Sequence, residues 1–538
     1  MSEFNLIDEP WIPCIDLNGQ PVEYGIRNTF AKAHELREIC DDSPLVTVAI
    51  HRLLLAILYR AFQGPTGMKE WGKLYQVGSF SVDGKLGDYL NKWRNRFFLF
   101  DEKYPFMQVA ELDLNDYKEN GEIKKDKSDG IMRLAREAPD KGGRILFDHR
   151  VGTERPDYEP KQIAKMLLAA QSYSGTGVAS GGKIGTQKIS PTPCQFAPCV
   201  DGLCLYLQGK NLFQTLLLNL VPTDLPSNDL PAWEDDNIAS TAIRSWSKSF
   251  VLSGRVQRYA PLSRFVRLLD KRSIFFTNGL KPDADSGDPM KIYRREDMKK
   301  RFEPIKLSEK KAAWRDAHAL FSYIITDRQK PAACLNHAAR LSDLHSLANI
   351  VGFARDQNKI LLWRHERMPV PAALLSEDNL IERLGGLIQN AENAAIELNN
   401  RMRRIAKLSL SPSAETPDGR QPDKDDVARL IEAIDPRPVY WSRLEQHFYT
   451  LLENLPGDWD LASGDWKEDD RQTATNTWRE QVKREARCAL EESIRSLGTT
   501  SRAIQAVARV RTDFNDGDLK PKNRKSKNRK GGRKQNES

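Results

Sequence analysis

Residues 380–405 read LIERLGGLIQNAENAAIELNNRMRRI, and apolar side chains recur in them every three or four positions. This spacing places the side chains on one face of an α-helix for about seven turns. The recurring residues are Leu380, Leu384, Leu387, Ala391, Ala395, Leu398, Met402 and Ile405. A helix with one long apolar face is stable only when that face is buried, so the segment predicts a helical bundle.

Similar apolar stripes follow towards the C-terminus, at 427–434, 441–451, 478–494 and 501–514. Pro436 and Pro438 separate the first of these from the second, and Gly498 ends the third. The Ser/Pro/Asp-rich residues 408–426 predict a mobile loop. We therefore predict a four-helix-type bundle over residues 371–515.

Towards the N-terminus, residues 1–370 mix shorter patterns and predict a large, irregular α/β domain. Residues 264–280, RFVRLLDKRSIFFTNGL, indicate two strands around a charged turn, and residues 199–209 contain another strand-like run. The apolar residues 45–62 include His51, Arg52 and Arg60, which favours a buried helix over a membrane span. Long polar connections at 112–160, 174–194, 222–238 and 280–292 indicate loops that are functional or disordered. The predicted fold class is α+β.

Charge is concentrated at the C-terminal end. The chain has 82 basic and 74 acidic residues, a net charge of +8. Residues 520–538 alone hold nine basic residues and one acidic residue, so the rest of the chain is neutral overall. We predict that residues 516–538 form a disordered basic arm, which either binds nucleic acid through counterion release or is simply solvated.

Motifs of catalysis and metal binding are missing from the sequence. The seven cysteines are scattered, and the nearest three (Cys194, Cys199 and Cys204) lack the paired spacing of zinc ligands. They indicate reduced thiols, and with no basic region ahead of an apolar run at the start of the chain, we predict a cytoplasmic protein. The histidines fall in no metalloprotease or zinc pattern. We predict no metal, no cofactor and no catalysis.

One segment suggests an alternative enzyme function. Residues 177–184, GVASGGKI, nearly match the phosphate-binding pattern GxxxxGK[ST], but Ile184 replaces the hydroxyl residue that binds magnesium. The preceding residues 164–172 indicate a helix, whereas a phosphate-binding loop follows a strand. A nucleotide-binding enzyme acting on nucleic acid through Gly177–Lys183 is one alternative, and a generic RNA-binding protein with a basic tail is another.

A family resemblance extends over the chain to about residue 510. The motifs that carry it, in order, are FNLIDEPWIP at 4–13, YPFMQ at 104–108, the glycine-rich 175–185, PLSRFVRL at 261–268, RDQN at 355–358 and QHFY at 446–449. Together they resemble CasA, the large subunit of the type I-E CRISPR Cascade complex.

This resemblance implies a division of labour. Guide RNA reads the target by base pairing, while protein reads a short adjacent motif, the PAM, in duplex DNA and starts strand separation. The expected partners are the small, backbone and 5′-handle-end subunits of Cascade, crRNA, double-stranded target DNA and the helicase-nuclease, with no membrane.

The resemblance also implies site residues. A glycine loop would approach the minor groove, a glutamine wedge would open the duplex, a basic finger would reach the major groove, and a further loop would touch the guide handle. These are, in turn, Gly175, Gly177, Val178, Ala179, Gly181, Gly182 and Lys183; Asp356, Gln357 and Asn358; Lys271 and Arg272; and Phe147, Asp148, His149 and Arg150.

Overall fold

A computed structural model of the chain describes residues 4–135, 156–175, 177–178, 180–190, 193–194, 196–246, 250–252, 254–283, 287–341, 346–356, 359–460 and 462–521. The chain divides into two compact units, Met1–Glu377 and Asp378–Ser538. The predicted tail beyond residue 521 and the predicted handle loop at 147–150 lie outside the described residues.

The first unit mixes helices with many short strands, which confirms the α+β class. Its strands are β1 Ile12–Asp16, β2 Pro21–Tyr24, β3 Leu36–Ile39, β4 Leu112–Asp113, β5 Asp116–Tyr117, β6 Ile123–Lys125, β7 Asp129–Gly130, β8 Gly177–Val178, β9 Gly182–Ile184, β10 Gln187–Ile189, β11 Pro193–Cys194, β12 Cys204–Gln208, β13 Arg264–Leu268, β14 Ser273–Asn278, β15 Tyr293–Arg294, β16 Glu303–Pro304, β17 Gln329–Lys330, β18 Ser346–Asp356 and β19 Lys359–Val370. Its helices are α1 Ile26–Ala31, α2 Pro44–Phe62, α3 Met68–Val77, α4 Lys85–Trp93, α5 Pro160–Tyr173, α6 Leu212–Asn219, α7 Ile238–Ser245, α8 Arg255–Tyr259, α9 Ala317–Leu320 and α10 Ala333–Ala338.

Helix α2 forms the centre of this unit. The Ser43 hydroxyl accepts a hydrogen bond from Val46 N (3.3 Å), and Pro44 occupies the first turn, so both residues favour a helix start here. Helices α4, α5, α6 and α8 pack around it. By length and composition α2 could cross a membrane, but 89% of its most apolar window is buried inside the unit. The prediction of a buried core helix is confirmed.

The sheets are small, and most join strands that are distant in sequence. Strands order as β2-β1-β3, β12-β18-β19, β13-β14-β7, β10-β9-β4 and β16-β15-β17. The predicted hairpin at 264–280 is confirmed as β13 and β14. The segments 112–160 and 174–194, predicted as loops, contain short strands instead. Each has only two or three residues, too few for an alternating pattern, and some pair with remote partners, as β4 does with β9 and β7 with β14.

The second unit is helical, as predicted. It comprises α11 Asp378–Leu410, α12 Lys424–Ala433, α13 Arg437–Asn454, α14 Thr473–Ser496 and α15 Ser501–Ala508, with a hairpin of β20 Trp459–Asp460 and β21 Asp465–Trp466. Helix α11 packs against the other four helices, and side chains of α13 and α14 donate hydrogen bonds to its backbone. Tyr440 Oη donates to Ala391 O (2.9 Å), and Trp478 Nε1 donates to Leu387 O (2.9 Å).

The last predicted helix, over 501–514, ends early at Ala508. Beyond it the chain packs on α11 as an irregular segment with one short 3-10 helix, Asp516–Leu519, and Arg401 of α11 lies over the Phe514 ring (3.9 Å) and pairs with Asp518 (3.0 Å). The chain therefore remains packed on α11 as far as Leu519. The predicted disordered arm, 516–538, thus begins too early by at least these four residues.

Two buried histidines make the first unit sensitive to acid. Burial lowers the pKa of His51 and of His337, each to about 4, against about 6.5 for an exposed histidine. Between those values the unfolded chain binds more protons than the folded one. We expect stability to be complete above pH 6.5 and to fall towards pH 4, by up to about 1.4 kcal/mol per pH unit for each histidine.

Urea unfolding at pH 7 and pH 5 measures this dependence. The His337→Phe variant keeps a ring against Trp71, whose centroid is 4.7 Å away, and removes one titrating group. Its stability should fall less steeply with acid than that of the wild type. Equal slopes for the two proteins would contradict the assignment.

Candidate nucleic-acid interface

The turn between β13 and β14 presents the predicted finger residues. The strands pair from Arg264–Asn278 to Leu268–Ile274, which leaves residues 269–272 as the tip. The Asp270 carboxylate accepts hydrogen bonds from the backbone N–H groups of Arg272 and Ser273, both at 2.7 Å. An aspartate that accepts from its own turn fixes the turn shape, so the tip has a defined conformation.

The Arg272 side chain is paired across the surface. Its Nε lies 2.6 Å and its Nη2 2.8 Å from the two carboxylate oxygens of Asp157, and both side chains are more than half exposed (58% and 59%). The hydrogen bonds from Arg272 hold the pKa of Asp157 below its usual value. Because the pair is exposed, a competing acceptor such as a phosphate or a guanine edge can replace Asp157.

The glycine segment, defined as residues 175–183, begins at a buried arginine. Arg264, 1% exposed, donates from Nη1 to its neighbour Ser263 O (2.6 Å). Its Nη2 donates to Ser174 O (3.1 Å) and Gly175 O (2.6 Å). The base of the β13–β14 hairpin therefore holds the point where the chain leaves α5, and a Cβ built on Gly175 would meet only open space.

A buried glutamine at the end of α5 adds further hydrogen bonds between this helix and the base of the hairpin. We call Gln171 and Arg264 together the clamp. Gln171 Nε2 donates to Arg264 O (2.8 Å) and Met107 O (3.2 Å), and its Oε1 accepts from Arg264 N (2.9 Å). Met107 has a positive φ of 53°, rare for a residue with a side chain, so this loop conformation is held by its contacts. Gln108 adds a further link by accepting from Leu268 N (2.8 Å).

The sequence motif at 104–108 thus has a structural role. Its residue Gln108 binds β13 directly, at Leu268, and Met107 binds the clamp residue Gln171. Sequence reasoning assigned no role to Gln171, Arg264 or Gln108. The available signal was a single polar residue, Gln171, in the apolar stripe of α5.

The second half of the glycine segment is held by the neighbouring strands. Thr277 Oγ1 donates to Ser180 O (2.7 Å). A Cβ on Gly182 would lie 2.3 Å from Asp113 O and 2.8 Å from Leu114 Cα, so the close pairing of β9 with β4 requires glycine there. Lys183 lies 3.5 Å from the Asp113 carboxylate. Gly177 and Val178 form β8, Gly181 precedes β9, and Ala179 lies outside the described residues.

The glycine segment differs from a phosphate-binding loop in three features: the element before it, the element after it and the surroundings of its lysine. The segment follows helix α5 rather than a strand, it leads into strand β9 rather than a helix, and Lys183 is paired with an acid and lies over the Tyr117 ring (4.9 Å). The nucleotide-binding alternative therefore lacks structural support in the described residues.

The two longest strands in the described part of the first unit, β18 and β19, flank the predicted wedge in the sequence. Strands β18 and β19 pair as far as Asp356 and Lys359, and Gln357 and Asn358 lie between them, outside the described residues. Phe353, opposite Trp363 in the register, has its ring 6.0 Å from Tyr173 at the end of α5. The hairpin thus contacts the helix end from which the glycine segment begins. Trp363, 44% exposed, is an aromatic group that sequence reasoning missed.

The cysteine cluster offers no centre for a metal among the described residues, where no group of three His, Cys, Asp or Glu could hold an ion. Cys199 and Cys204 are fully buried, and burial raises the pKa of the Cys199 thiol. The Cys194 side chain lies outside the described part of the chain.

Comparisons of sequence and of structure all match the chain to CasA/Cse1 proteins. The model of the CRISPR-associated protein Cse1 family matches residues 5–489. CasA/Cse1 of Thermus thermophilus is 31% identical over 534 residues, which cover 96% of this chain and 97% of that protein. A crystal structure of Thermus thermophilus CasA matches with a TM-score of 0.75 at 29% identity, over 94% of this chain and 98% of that one. Acidimicrobium ferrooxidans Cse1 shares the fold, with a TM-score of 0.74 at 22% identity over 94% and 96%. So does a chain of a CRISPR RNA-guided surveillance complex, with a TM-score of 0.68 at 18% identity over 95% and 99%.

Proposed function

Since this chain belongs to the CRISPR-associated protein Cse1 family, we propose that it is the non-catalytic large subunit of a type I-E Cascade complex in cytoplasmic antiviral defence. In this role it recognises the PAM in duplex DNA, helps to start strand separation and R-loop formation, and recruits the helicase-nuclease. Its partners are crRNA and the small, backbone and 5′-handle-end subunits. A relative of the same fold is a chain of an RNA-guided surveillance complex, which supports this placement.

One observation carries the proposal: the β13–β14 hairpin joins the two predicted DNA-contacting elements. The glycine segment is bound to its base, and the finger turn, residues 269–272, is its tip. Arg264 and Thr277 hold the segment at the base, and Arg272 stands at the tip. In the strand register Arg272 lies about six residue positions beyond Arg264 along the hairpin, which at about 3.3 Å per residue is roughly 20 Å. The minor groove is about 6 Å wide and the major groove about 12 Å, so one hairpin can serve both.

The two ends suit their grooves chemically. Glycine backbone enters a narrow groove whose base edges give a degenerate pattern, as a reader of several related PAMs requires. An arginine that exchanges Asp157 for a base edge supplies the sequence-dependent contact. Gln357, at the end of the β18–β19 hairpin, would then wedge between base pairs next to the PAM, where loss of stacking costs a few kcal/mol.

Substitutions of the Arg272–Asp157 pair test the finger. In a complex reconstituted with guide RNA and partner subunits, Arg272→Ala should weaken binding to PAM-bearing duplex by about 5- to 150-fold, the equivalent of a base contact of about 1–3 kcal/mol. Asp157→Asn frees the guanidinium and should strengthen binding by up to about fivefold, the equivalent of a surface ion pair. Electrophoretic mobility shift with matched duplexes, with and without the PAM, measures both effects.

The matched control is the exposed Arg429–Asp426 pair of the second unit, at 2.6 Å. Arg429→Ala and Asp426→Asn should leave PAM affinity unchanged. If the single variants Arg272→Ala and Gln357→Ala both bind PAM-bearing duplex as tightly as the wild type, the site assignment is wrong. If the wild-type chain does not assemble with the guide-loaded partners, the proposed function is wrong.

A further inference from the structure

A cavity on the first unit lies apart from the β13–β14 hairpin. Its volume is about 490 Å³, within the usual range for sites that bind small ligands. Helix α8, the segment 287–293, strand β17 and helix α10 enclose it. The side chains that define its chemistry are Arg255, Arg258, Lys291, Lys330, Tyr293 and Phe302.

Among the described residues, the one acidic side chain that lines the cavity is already neutralised. Asp288 receives two hydrogen bonds from Arg52, Nη1 to Oδ1 at 3.0 Å and Nη2 to Oδ2 at 2.8 Å, and both side chains are nearly inaccessible (6% and 1% exposed). Four other cationic residues line the same cavity. The lining therefore carries an excess of positive charge, which favours an anionic ligand.

The cationic groups differ in how they are held. Lys291 Nζ donates to the backbone carbonyl of Asp201, and Arg258 Nη1 donates to Gly254 O (2.6 Å), so each has a neutral acceptor. Arg255 Nη1 is buried and has no hydrogen-bond partner in the described residues. A buried donor without an acceptor is destabilising, and a bound anion would satisfy it.

The opposite wall is apolar and aromatic. The Lys330 ammonium and the Arg295 guanidinium both lie over the Phe302 ring, 4.3 Å and 4.6 Å from its centroid, and Ile325 has 66% of its surface exposed. The Tyr293 hydroxyl accepts from Asp288 N (2.6 Å), which leaves its own proton available to a ligand. A ligand complementary to the cavity thus combines a multiply charged anion with a planar or apolar group.

We propose that this cavity binds a phosphate-bearing ligand of nucleotide size, either a free nucleotide or one nucleotide of a single strand. Arg255, Lys291 and Lys330 contact the phosphate, and the Phe302–Ile325 wall contacts the base. The site does not depend on PAM recognition, because its residues lie outside the glycine segment and the finger turn.

Calorimetric titration of the full-length chain tests the site with adenosine 5′-monophosphate, inorganic phosphate and a short oligothymidylate as separate probes. Lys330→Ala and Arg255→Gln should each weaken nucleotide binding at least tenfold, while Lys299→Ala, an exposed lysine outside the cavity, should not. Lys330 is exposed, so its variant should fold like the wild type, as thermal unfolding would verify.

The probes separate the two sources of the ligand. Binding of the mononucleotide but not of the oligonucleotide identifies a free nucleotide, and tighter oligonucleotide binding identifies a strand; both support the site. Nucleotide affinities that neither variant changes would overturn it, and so would binding of poly-glutamate together with no binding of nucleotide or oligonucleotide, which would assign the cavity to an acidic peptide. PAM-duplex binding of the reconstituted complex should be unaffected by Lys330→Ala, so this inference and the proposed function fail separately.

Discussion

Replacement of Arg52 by methionine is expected to lower the free energy of unfolding of the first unit by about 3–5 kcal/mol. Arg52 is 1% exposed, and its guanidinium pairs with both oxygens of Asp288. It also donates to the backbone carbonyl of Arg258 and lies over the Tyr259 ring, 5.3 Å from its centroid. Removal of the cation leaves the Asp288 carboxylate buried without its ion-pair partner, and this uncompensated charge accounts for most of the loss.

Urea unfolding followed by tryptophan fluorescence measures this effect. The double variant Arg52→Met, Asp288→Leu removes both charges and should recover a substantial part of the lost stability, because a buried pair is often replaceable by apolar residues. The exposed pair of Arg94 and Asp8, at 2.8 Å, is the control, and Arg94→Met should cost less than about 1 kcal/mol. A double variant that is as unstable as the sum of its two single variants would rule out the charge-burial explanation.

The position of Arg52 illustrates what sequence patterns reveal and what they omit. Its presence in an apolar run correctly indicated a buried helix rather than a membrane span. The run could not identify its partner, since Asp288 is 236 positions away and no periodicity connects the two residues. Local repetition, by contrast, determined α11 and the β13–β14 hairpin, because their stabilising contacts fall within a few turns or across one tight turn.

The candidate site divides in the same way. The hairpin that carries the finger turn was predictable from a local strand–turn–strand pattern, whereas the wedge hairpin was indicated by the family resemblance alone. The clamp was not predictable: Gln171 meets Arg264 across 93 positions, and Arg264 meets Gly175 across 89. A glycine-rich stretch alone resembled a free loop, whereas Gly182 is glycine because the Asp113 backbone lies where a side chain would begin.

The clamp gives the prediction with the largest functional effect. Arg264→Met should leave assembly with guide RNA and partner subunits intact but weaken binding to PAM-bearing duplex by about a hundredfold. The substitution removes three charge-assisted hydrogen bonds, one to Ser263 O and two, to Ser174 O and Gly175 O, that hold the start of the glycine segment. Such bonds contribute about 1.5–3 kcal/mol each. If binding must then order the glycine segment, a cost of about 3 kcal/mol corresponds to a factor near one hundred.

Two measurements distinguish this local effect from general destabilisation. Limited trypsin digestion should cut Arg264→Met faster at Lys183 and Lys188, the basic residues of β9 and β10, because release of the segment base exposes that hairpin. Arg52→Met is the control, since it destabilises the same unit without contacting the glycine segment and should show neither faster cleavage there nor weaker PAM binding while it remains folded. If the two variants lose PAM affinity in proportion to their loss of stability, Arg264 acts on the fold alone; if only Arg264→Met loses it, Arg264 positions the segment that reads DNA.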